Sequence, residues 1–535
     1  MQGLHQHHPL LISAILEHAA TNHADVALVS HSGGETVRTD YARLAARARR
    51  LASALAADGL GPDAFCGSLA WNTHRHLELF YATSGIGAVL HTANPRLAPV
   101  QIIYTINFTG YSTLFIDLDT VALAETIAPS LTTVRRYVIM TAREYMPPTS
   151  LPNAVCYEEL LASGAAHFSW PMLDERTAST LCFTSGTTGD PKGALYSHRG
   201  IVLSALSSGG GNNWALSADD GILALPGFFH CNGWAIPFLA PMYGTRLVMP
   251  GRNMDTAFMH RLITEEDITV GPAVPTIWLQ MLDYCRERNL RLGNMNRLFT
   301  GGTAPPAVMI DAYMRDYNIR TFHAWGMTET THASTASFIP RDLPRDAQIE
   351  KMRSQGKAIF GNEIRIVDDR GNAVAHDGTT PGHLQVRGHW IAGAYFRRPD
   401  IAMQTEDGWM QTGDVAVIDA DSTMHIVDRA KDVIKSGGEW ISSQALEEAA
   451  NRHAMVREAA VIAMEHPRWQ ERPLMVVVTD GALDTDALRA HLSALVPKWW
   501  LPDSIAFVAE LPHGPTGKIQ KDILRRWLAD GTIQP

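Results

Sequence analysis

Cysteine is scarce and never spaced for partnership. Cys66, Cys156, Cys182, Cys231 and Cys285 stand singly, with no Cys-x-x-Cys pair among them. That argues against a disulfide framework and a cysteine-rich zinc site, and it fits a reducing cytoplasm. A basic excess is missing too: 45 Lys and Arg face 55 Asp and Glu, for a net charge of −10, the wrong balance for a dedicated nucleic-acid or anionic-membrane binder. No stretch reads as a membrane span. The one long uncharged run, residues 221–244, is broken by Pro226, Pro237, Pro241, His230 and Asn232, and unsatisfied backbone groups are expensive in lipid. We expect it to form buried core and pocket wall. The amino-terminal MQGLHQHHPLLISAILEH has neither the basic segment nor the small-residue cleavage site of a signal peptide, so mature sequence is expected there. Internal repeats and low-complexity segments are also absent.

What is present is a chain of 535 residues with 46% apolar composition, long enough for more than one domain with a sizeable core. Its most informative stretch is TSGTTGDPKG at residues 184–193, directly after the apolar run 181–183. Ten positions hold Gly186, Gly189 and Gly193, the hydroxyl residues Thr184, Ser185, Thr187 and Thr188, and Lys192. Glycines let backbone N–H groups approach phosphate oxygens, hydroxyls donate further bonds, and the lysine adds a point charge. A Walker A loop is excluded, because Pro191 precedes the lysine and Gly193 follows it where that motif needs Gly-Lys-Ser/Thr. A flexible linker would not need one lysine and one proline set between glycines. Cys182, two residues before the loop, is expected to be a buried strand cysteine.

The stretch resembles the phosphate-binding signature of the adenylate-forming superfamily, which holds acyl-CoA synthetases, adenylation domains of peptide synthetases and luciferases. The resemblance implies a first half-reaction in which a carboxylate and ATP give acyl-adenylate and pyrophosphate. SLAWNTHRHLELFY from Ser68 and AVLHTANPRL from Ala88 are similar to its fatty-acid branch, in which homodimers are frequent.

Helix-like and strand-like segments alternate over residues 1–180. Thr39 and Asp40 can cap a helix running to Ala57 and closed by Gly59; strands are expected at 66–71, 112–116 and 136–140, with a helix at 76–83. Further strands are expected at 222–226, 246–249, 268–270 and 297–300. Such alternation predicts a largely parallel sheet covered by helices. Turns at 369–371 and 377–382 suggest a β-rich section, and from Arg429 the pattern resets into a small α/β unit. The fold expected is therefore α/β: a large N-terminal domain of layered sheets and helices with a β-rich subdomain (1–427), a hinge (428–431), and a small mobile α/β C-terminal domain (432–535).

GGTAPP at 301–306 and HAWGMTET at 323–330 look like the superfamily's nucleotide motifs. The resemblance assigns Gly302, Thr303, Ala304, His323, Ala324, Trp325, Gly326, Met327 and Thr328 to ATP or AMP, with Trp325 stacking on the purine where many relatives have tyrosine and Thr328 at the α-phosphate. Glu329 and the Thr184 hydroxyl would hold Mg²⁺, a hard cation that prefers oxygen. Asp414, ending WMQTGD, resembles the ribose-binding aspartate. Arg429 would be a second ribose or phosphate contact, Lys431 the hinge, and Lys435 and Trp440 a cover for the nucleotide. Gly437 and Gly438 would pass the pantetheine arm of CoA. In PHGPTGKIQK, Lys518 would bridge carboxylate and α-phosphate as charge builds.

PGFFHCNGW from Pro226 and VPTIW from Val274 contain no charged side chain, so an apolar acyl chain fits and an amino acid's ammonium does not. The resemblance makes His230 the pocket histidine, Trp234 the gate of the acid tunnel, and Val274 and Trp278 pocket lining. The leading reading is an ATP- and Mg²⁺-dependent acyl-CoA synthetase for medium or long aliphatic acids. Its alternatives are a ligase for a short thioether acid such as 3-methylthiopropionate and an enzyme that loads a carrier protein, although no carrier domain is expected after Pro535. A non-catalytic nucleotide binder would be expected to lack Lys518, Glu329 or Asp414.

Overall fold

The computed structural model describes residues 1, 3–184, 190–211, 213–337, 339–340, 342–437, 439–514 and 519–534. The helix expected after Thr39 and Asp40 runs Tyr41–Ala57. Asp40 caps it, accepting from the Arg43 backbone N–H at 2.8 Å, and Gly59 leaves with φ +87°, a conformation that suits glycine after a helix. The strand expected at 66–71 is Phe65–Leu69. It stops short because the Trp71 N–H donates to the Asp117 carboxylate at 2.6 Å instead of continuing the ladder. The strand expected at 268–270 is Val270–Pro272. The end of the preceding helix draws Ile268 in, its N–H donating to the Ile263 carbonyl.

The chain divides into two compact units: Met1–Ser185 with Pro191–Ile364 and Val386–Met410, and Gly186–Asp190 with Arg365–Gln385 and Gln411–Pro535. The first contains, among the described residues, two sheets, in keeping with the layered sheets expected. The seven-stranded sheet has the order Ala154–Cys156, Arg136–Ile139, Thr113–Ile116, Phe65–Leu69, Val89–Ala93, Ala178–Phe183, Gly193–Ser197, and it is parallel except for the last pair. The nine-stranded sheet runs from Lys357–Ala358 through Ala333–Ala336, Arg320–Gly326, Arg297–Gly301, Val270–Pro272, Gly221–Leu223 and Arg246–Met249 to the hairpin Ala27–Ser32 and Glu35–Asp40. One apolar cluster joins the sheets. It takes Cys66, Leu90 and Phe115 from the first, Ile222, Leu247 and Phe299 from the second, and the buried faces of Ile12–Asn22, Tyr41–Ala57 and Ile236–Met242. The helix His74–Gly85 is buried at every residue. Its Glu78 carboxylate accepts from Arg47 Nε at 2.6 Å and from the Tyr157 hydroxyl at 2.7 Å; removing one partner of such a buried pair costs about 3–5 kcal/mol.

The β-rich section contains Asn362–Val367, Gly382–Gly388, Met410–Ile418 and Met424–Arg429, the last two paired antiparallel. Residues 365–385 and 411–427 fall in the second compact unit. That unit also holds a sheet in the order Glu439–Ile441, Ile434–Ser436, Gln470–Thr479, Val456–His466. The strand Ser504–Phe507, which no sequence pattern announced, adds to it in parallel beside Gln470–Thr479. Among the described residues no helix is long and apolar enough to cross a membrane.

Candidate active site

The described ends of the phosphate-loop signature belong to a hairpin. Strands Ala178–Phe183 and Gly193–Ser197 pair antiparallel with Phe183 opposite Gly193. The neck is closed twice: the Thr184 N–H donates to the Lys192 carbonyl at 2.9 Å, and the Lys192 N–H donates to Thr184 Oγ1 at 3.0 Å. Ser185, Gly186, Thr187, Thr188 and Gly189 lie outside the described residues, as do Gly438 and Lys518. Burial pushes the Cys182 thiol up to about 11, in keeping with a structural strand cysteine.

Lys192 Nζ stands over the Tyr395 ring, 5.2 Å from its centroid, and the Tyr395 hydroxyl donates to Glu329 Oε1 at 2.5 Å. Burial, then the nearby Glu329 carboxylate, holds the Tyr395 phenol well above its ordinary value, so it stays a donor. Glu329 and Thr328 are both buried, in the short turn Thr328–Thr330. Tyr196 fixes that turn by donating to the Thr328 carbonyl at 2.6 Å. Phosphate-loop lysine and proposed metal ligand are thus joined through one phenol. Sequence reasoning passed over Tyr395: it lies 66 residues from Glu329, in a loop with no strand or helix pattern.

GGTAPP and the acid-pocket stretches converge. Gly302, Thr303 and Ala304 are exposed along one edge. A Cβ placed on Gly301 would lie 3.3 Å from the Ala324 carbonyl oxygen and 3.3 Å from Trp234 Cη2, and one on Gly302 would lie 3.8 Å from Val274 Cγ1. Glycine here lets the half-buried Trp234 indole lie against the backbone of the nucleotide motif. Trp325 is 9% exposed, and a register shift follows it at Gly326. His230 is exposed just before this wall, its N–H donating to the Gly227 carbonyl at 2.8 Å.

The wall that carries Trp234 has an unusual backbone. Cys231, Asn232, Gly233, Trp234 and Ala235 all take positive φ, from +37° to +64°, making one left-handed turn. Each non-glycine residue held this way costs roughly 1–2 kcal/mol, so neighbouring structure must hold it. Cys231 Sγ lies 3.7 Å from Thr328 Oγ1. Asn232, read in the sequence only as an interruption of an uncharged run, is 2% exposed and hydrogen-bonded through its amide at both ends.

Two residues of the predicted set are drawn away from this edge. Trp278 is fully buried, stacked edge-on to Tyr313, whose hydroxyl donates to the Trp278 carbonyl at 2.6 Å. It fills the core beneath the helix Pro275–Arg288, where the sequence reading made it pocket lining; its ring packs into the space left by Gly271, where a Cβ would come 2.5 Å from it. His323 donates from Nδ1 to the Arg353 carbonyl at 2.8 Å, and burial pushes it down to about 4. It is a neutral histidine tied to backbone.

In the second unit Asp414 faces Arg429 across an antiparallel pair, Nε to Oδ1 at 2.9 Å, with Asp414 3% exposed. Lys431 pairs with Asp522 at 3.2 Å. Lys435 faces Trp440 in the hairpin Ile434–Ser436 and Glu439–Ile441, its Nζ 5.8 Å from the indole. Gly437 turns that hairpin at φ +63°. A Cβ there would come 2.9 Å from Trp469, whose carbonyl accepts the Gly437 N–H.

Residues 15–396 match the family described as AMP-binding enzyme, and residues 445–518 match AMP-binding enzyme C-terminal domain. The chain is 43% identical to a 3-methylmercaptopropionyl-CoA ligase of Ruegeria lacuscaerulensis over 98% of each chain. It is 40% identical to a medium-chain-fatty-acid–CoA ligase of Ectopseudomonas oleovorans over 99% of this chain and 98% of that one. Its fold superposes with TM-score 0.85 and 22% identity on a crystal structure of the anthranilate CoA ligase AuaEII in complex with anthranoyl-AMP, covering 98% of this chain and 99% of the other.

Proposed function

The chain belongs to the AMP-binding enzyme family, and from that premise we propose that the acid it activates is aliphatic, with a medium- or long-chain fatty acid as the leading substrate. The reaction is AMP-forming acid–CoA ligation. A carboxylate oxygen attacks the α-phosphorus of ATP and pyrophosphate leaves; the CoA thiol then attacks the acyl carbon and AMP leaves. The observation that carries the choice of acid is the wall of Trp234 and Val274 against Gly301 and Gly302. It offers apolar surface and no charged partner, so a second charge on the acid would be buried unpaired. A short thioether acid such as 3-methylthiopropionate is the second reading, favoured by the 43% identity to ligases named for that acid. Loading of a carrier protein has no comparable support.

Lys192 and the loop hydroxyls would hold the β- and γ-phosphates, Thr328 the α-phosphate, and Trp325 the purine. Asp414, paired to Arg429, would accept from the ribose hydroxyls. Lys518 would neutralise charge between carboxylate and α-phosphate. Gly437 and Gly438 would pass pantetheine, with residues 428–431 as the hinge; Asp428 there accepts from the Ser443 N–H and hydroxyl at 2.6 Å. The donors at Glu329 and Thr184 fit Mg²⁺, because both are oxygens and each has an acceptor lone pair beyond the one side-chain hydrogen bond it accepts among the described residues. Among the described residues there is no cluster of three or more His, Cys, Asp or Glu to hold a metal, so its other ligands would come from phosphate and water, as Mg²⁺ usually arranges. Bound there, Mg²⁺ would neutralise phosphate charge during displacement.

The test is AMP release with CoA across straight-chain acids of increasing length, with 3-methylthiopropionate and an amino acid included. We expect a maximum among aliphatic acids and no turnover of the amino acid. A maximum on an aromatic or zwitterionic acid would overturn the reading.

A further inference from the structure

We infer that Asn232 is a positioning residue for the acid wall, clamping the left-handed turn that carries Trp234 to the strand that opens into the phosphate loop. Its Oδ1 accepts from Thr180 Oγ1 at 2.6 Å and its Nδ2 donates to Thr92 Oγ1 at 3.2 Å. Both threonines are buried. Thr180 lies in Ala178–Phe183, which runs directly to Thr184, and Thr92 lies in the neighbouring parallel strand Val89–Ala93, where Leu90 is the partner of Thr180. The amide therefore grips two adjacent strands of one sheet.

The turn needs such a grip. Five successive positive φ values make a conformation that L-residues visit singly and do not propagate. Gly233 relaxes one position, and the Phe228 ring closes over it, 2.6 Å from where a Cβ would stand. Asparagine suits the left-handed region, but that alone would not require its side chain to be buried and bonded at both ends. With the clamp in place, the turn sets Trp234 against Gly301 and Cys231 beside Thr328. Without it, the backbone drifts toward the right-handed region and the indole leaves its place, widening the acid site. The nucleotide motifs, held by their own strands, stay. Asn232 is thus a determinant of acid selectivity that does not itself touch the acid.

This inference rests on the acid-activating reading of the same site, and the experiment separates the two. Asn232→Gly keeps a residue at ease in the left-handed region and deletes the amide; Thr180→Val removes the strand's half of the clamp from the other side. For both variants and the double variant, KM for acid, KM for ATP, the preference among short and long acids, and melting temperature are measured. Thr180→Val is expected to raise KM for the preferred acid about tenfold, the scale of one lost buried hydrogen bond, and Asn232→Gly, which deletes the Thr92 bond as well, by at least that much, each with KM for ATP within about twofold and the acid preference flattened. The double variant is expected to match Asn232→Gly, which already deletes the bond that Thr180→Val removes. Asn232→Gly with an unaltered acid KM and preference overturns the inference. So does an equal change in both KM values that follows a fallen melting temperature, or a double variant in which the two effects add. Wild-type enzyme that activates no acid of the panel overturns the acid reading, and this role with it.

Discussion

Trp234 lies half-buried with its ring edge on Gly301, where in the proposed reading it would close one side of the acid site. Removing the ring would then open that side. Trp234→Ala is expected to keep ATP binding, lose the dependence of acid binding on ATP, and shift preference toward longer acids. A core tryptophan would behave differently, with about 3–5 kcal/mol of stability lost and activity lowered on every acid alike; rates on short and long acids beside a melting curve separate the two. Tyr395 invites a second test. Its hydroxyl is bonded to Glu329 at 2.5 Å and its ring lies under Lys192, so Tyr395→Phe keeps the ring and loses the bond that orients the carboxylate. We expect the Mg²⁺ concentration for half-maximal rate to rise about tenfold, with most of the rate recovered at saturating Mg²⁺. An unchanged Mg²⁺ titration would show that the phenol does not position Glu329.

Element ends, where strands and helices hand over to loops, carry most of the unusual chemistry. The strand Thr113–Ile116 ends at Asp117, which is buried, accepts the Trp71 N–H at Oδ2, and has no partner for Oδ1 among the described residues. Burial pushes its carboxyl up to about 7 from an ordinary 3.8. Between those values the folded chain holds a proton that the unfolded chain has released, so stability falls as pH rises through the window, and the whole deficit, of order a few kcal/mol, is present above it. Asp117→Asn cannot ionise. Its melting temperature is expected to fall less than that of the wild type between pH 5 and pH 8, and equal falls would count against a protonated Asp117. The same element end shows the limit of pattern reading. A run of apolar residues predicted the strand through Trp71, but a carboxylate 46 residues away captured the backbone N–H that the ladder needed.

For the whole molecule the strongest expectation is that two half-reactions can be separated. Lys518→Ala is expected to lose most acid-dependent pyrophosphate exchange and still convert supplied acyl-adenylate and CoA to thioester; Gly438→Leu is expected to do the reverse, accumulating bound acyl-adenylate while thioester formation fails. Equal loss of both half-reactions in either variant, with folding intact, would remove that residue from its assigned step. Such assignments come from motifs, which a sequence carries whole. A phosphate loop, a Gly-Thr-Ala edge and a Gly-Asp turn are local: each is a few consecutive residues, so their resemblance to one family's motifs can be seen without a structure, and that resemblance names the reaction. The alternation of strands and helices is local in the same sense, and it established the α/β class. Other features depend on groups far apart in the chain. That Tyr395 joins Lys192 to Glu329, that Asn232 grips Thr180 and Thr92, that Trp278 faces Tyr313 within the core, and that the hairpin 27–40 joins the nine-stranded sheet are all outcomes of packing. Each is decided by which distant surfaces bury one another, and no periodicity within a segment records its partner.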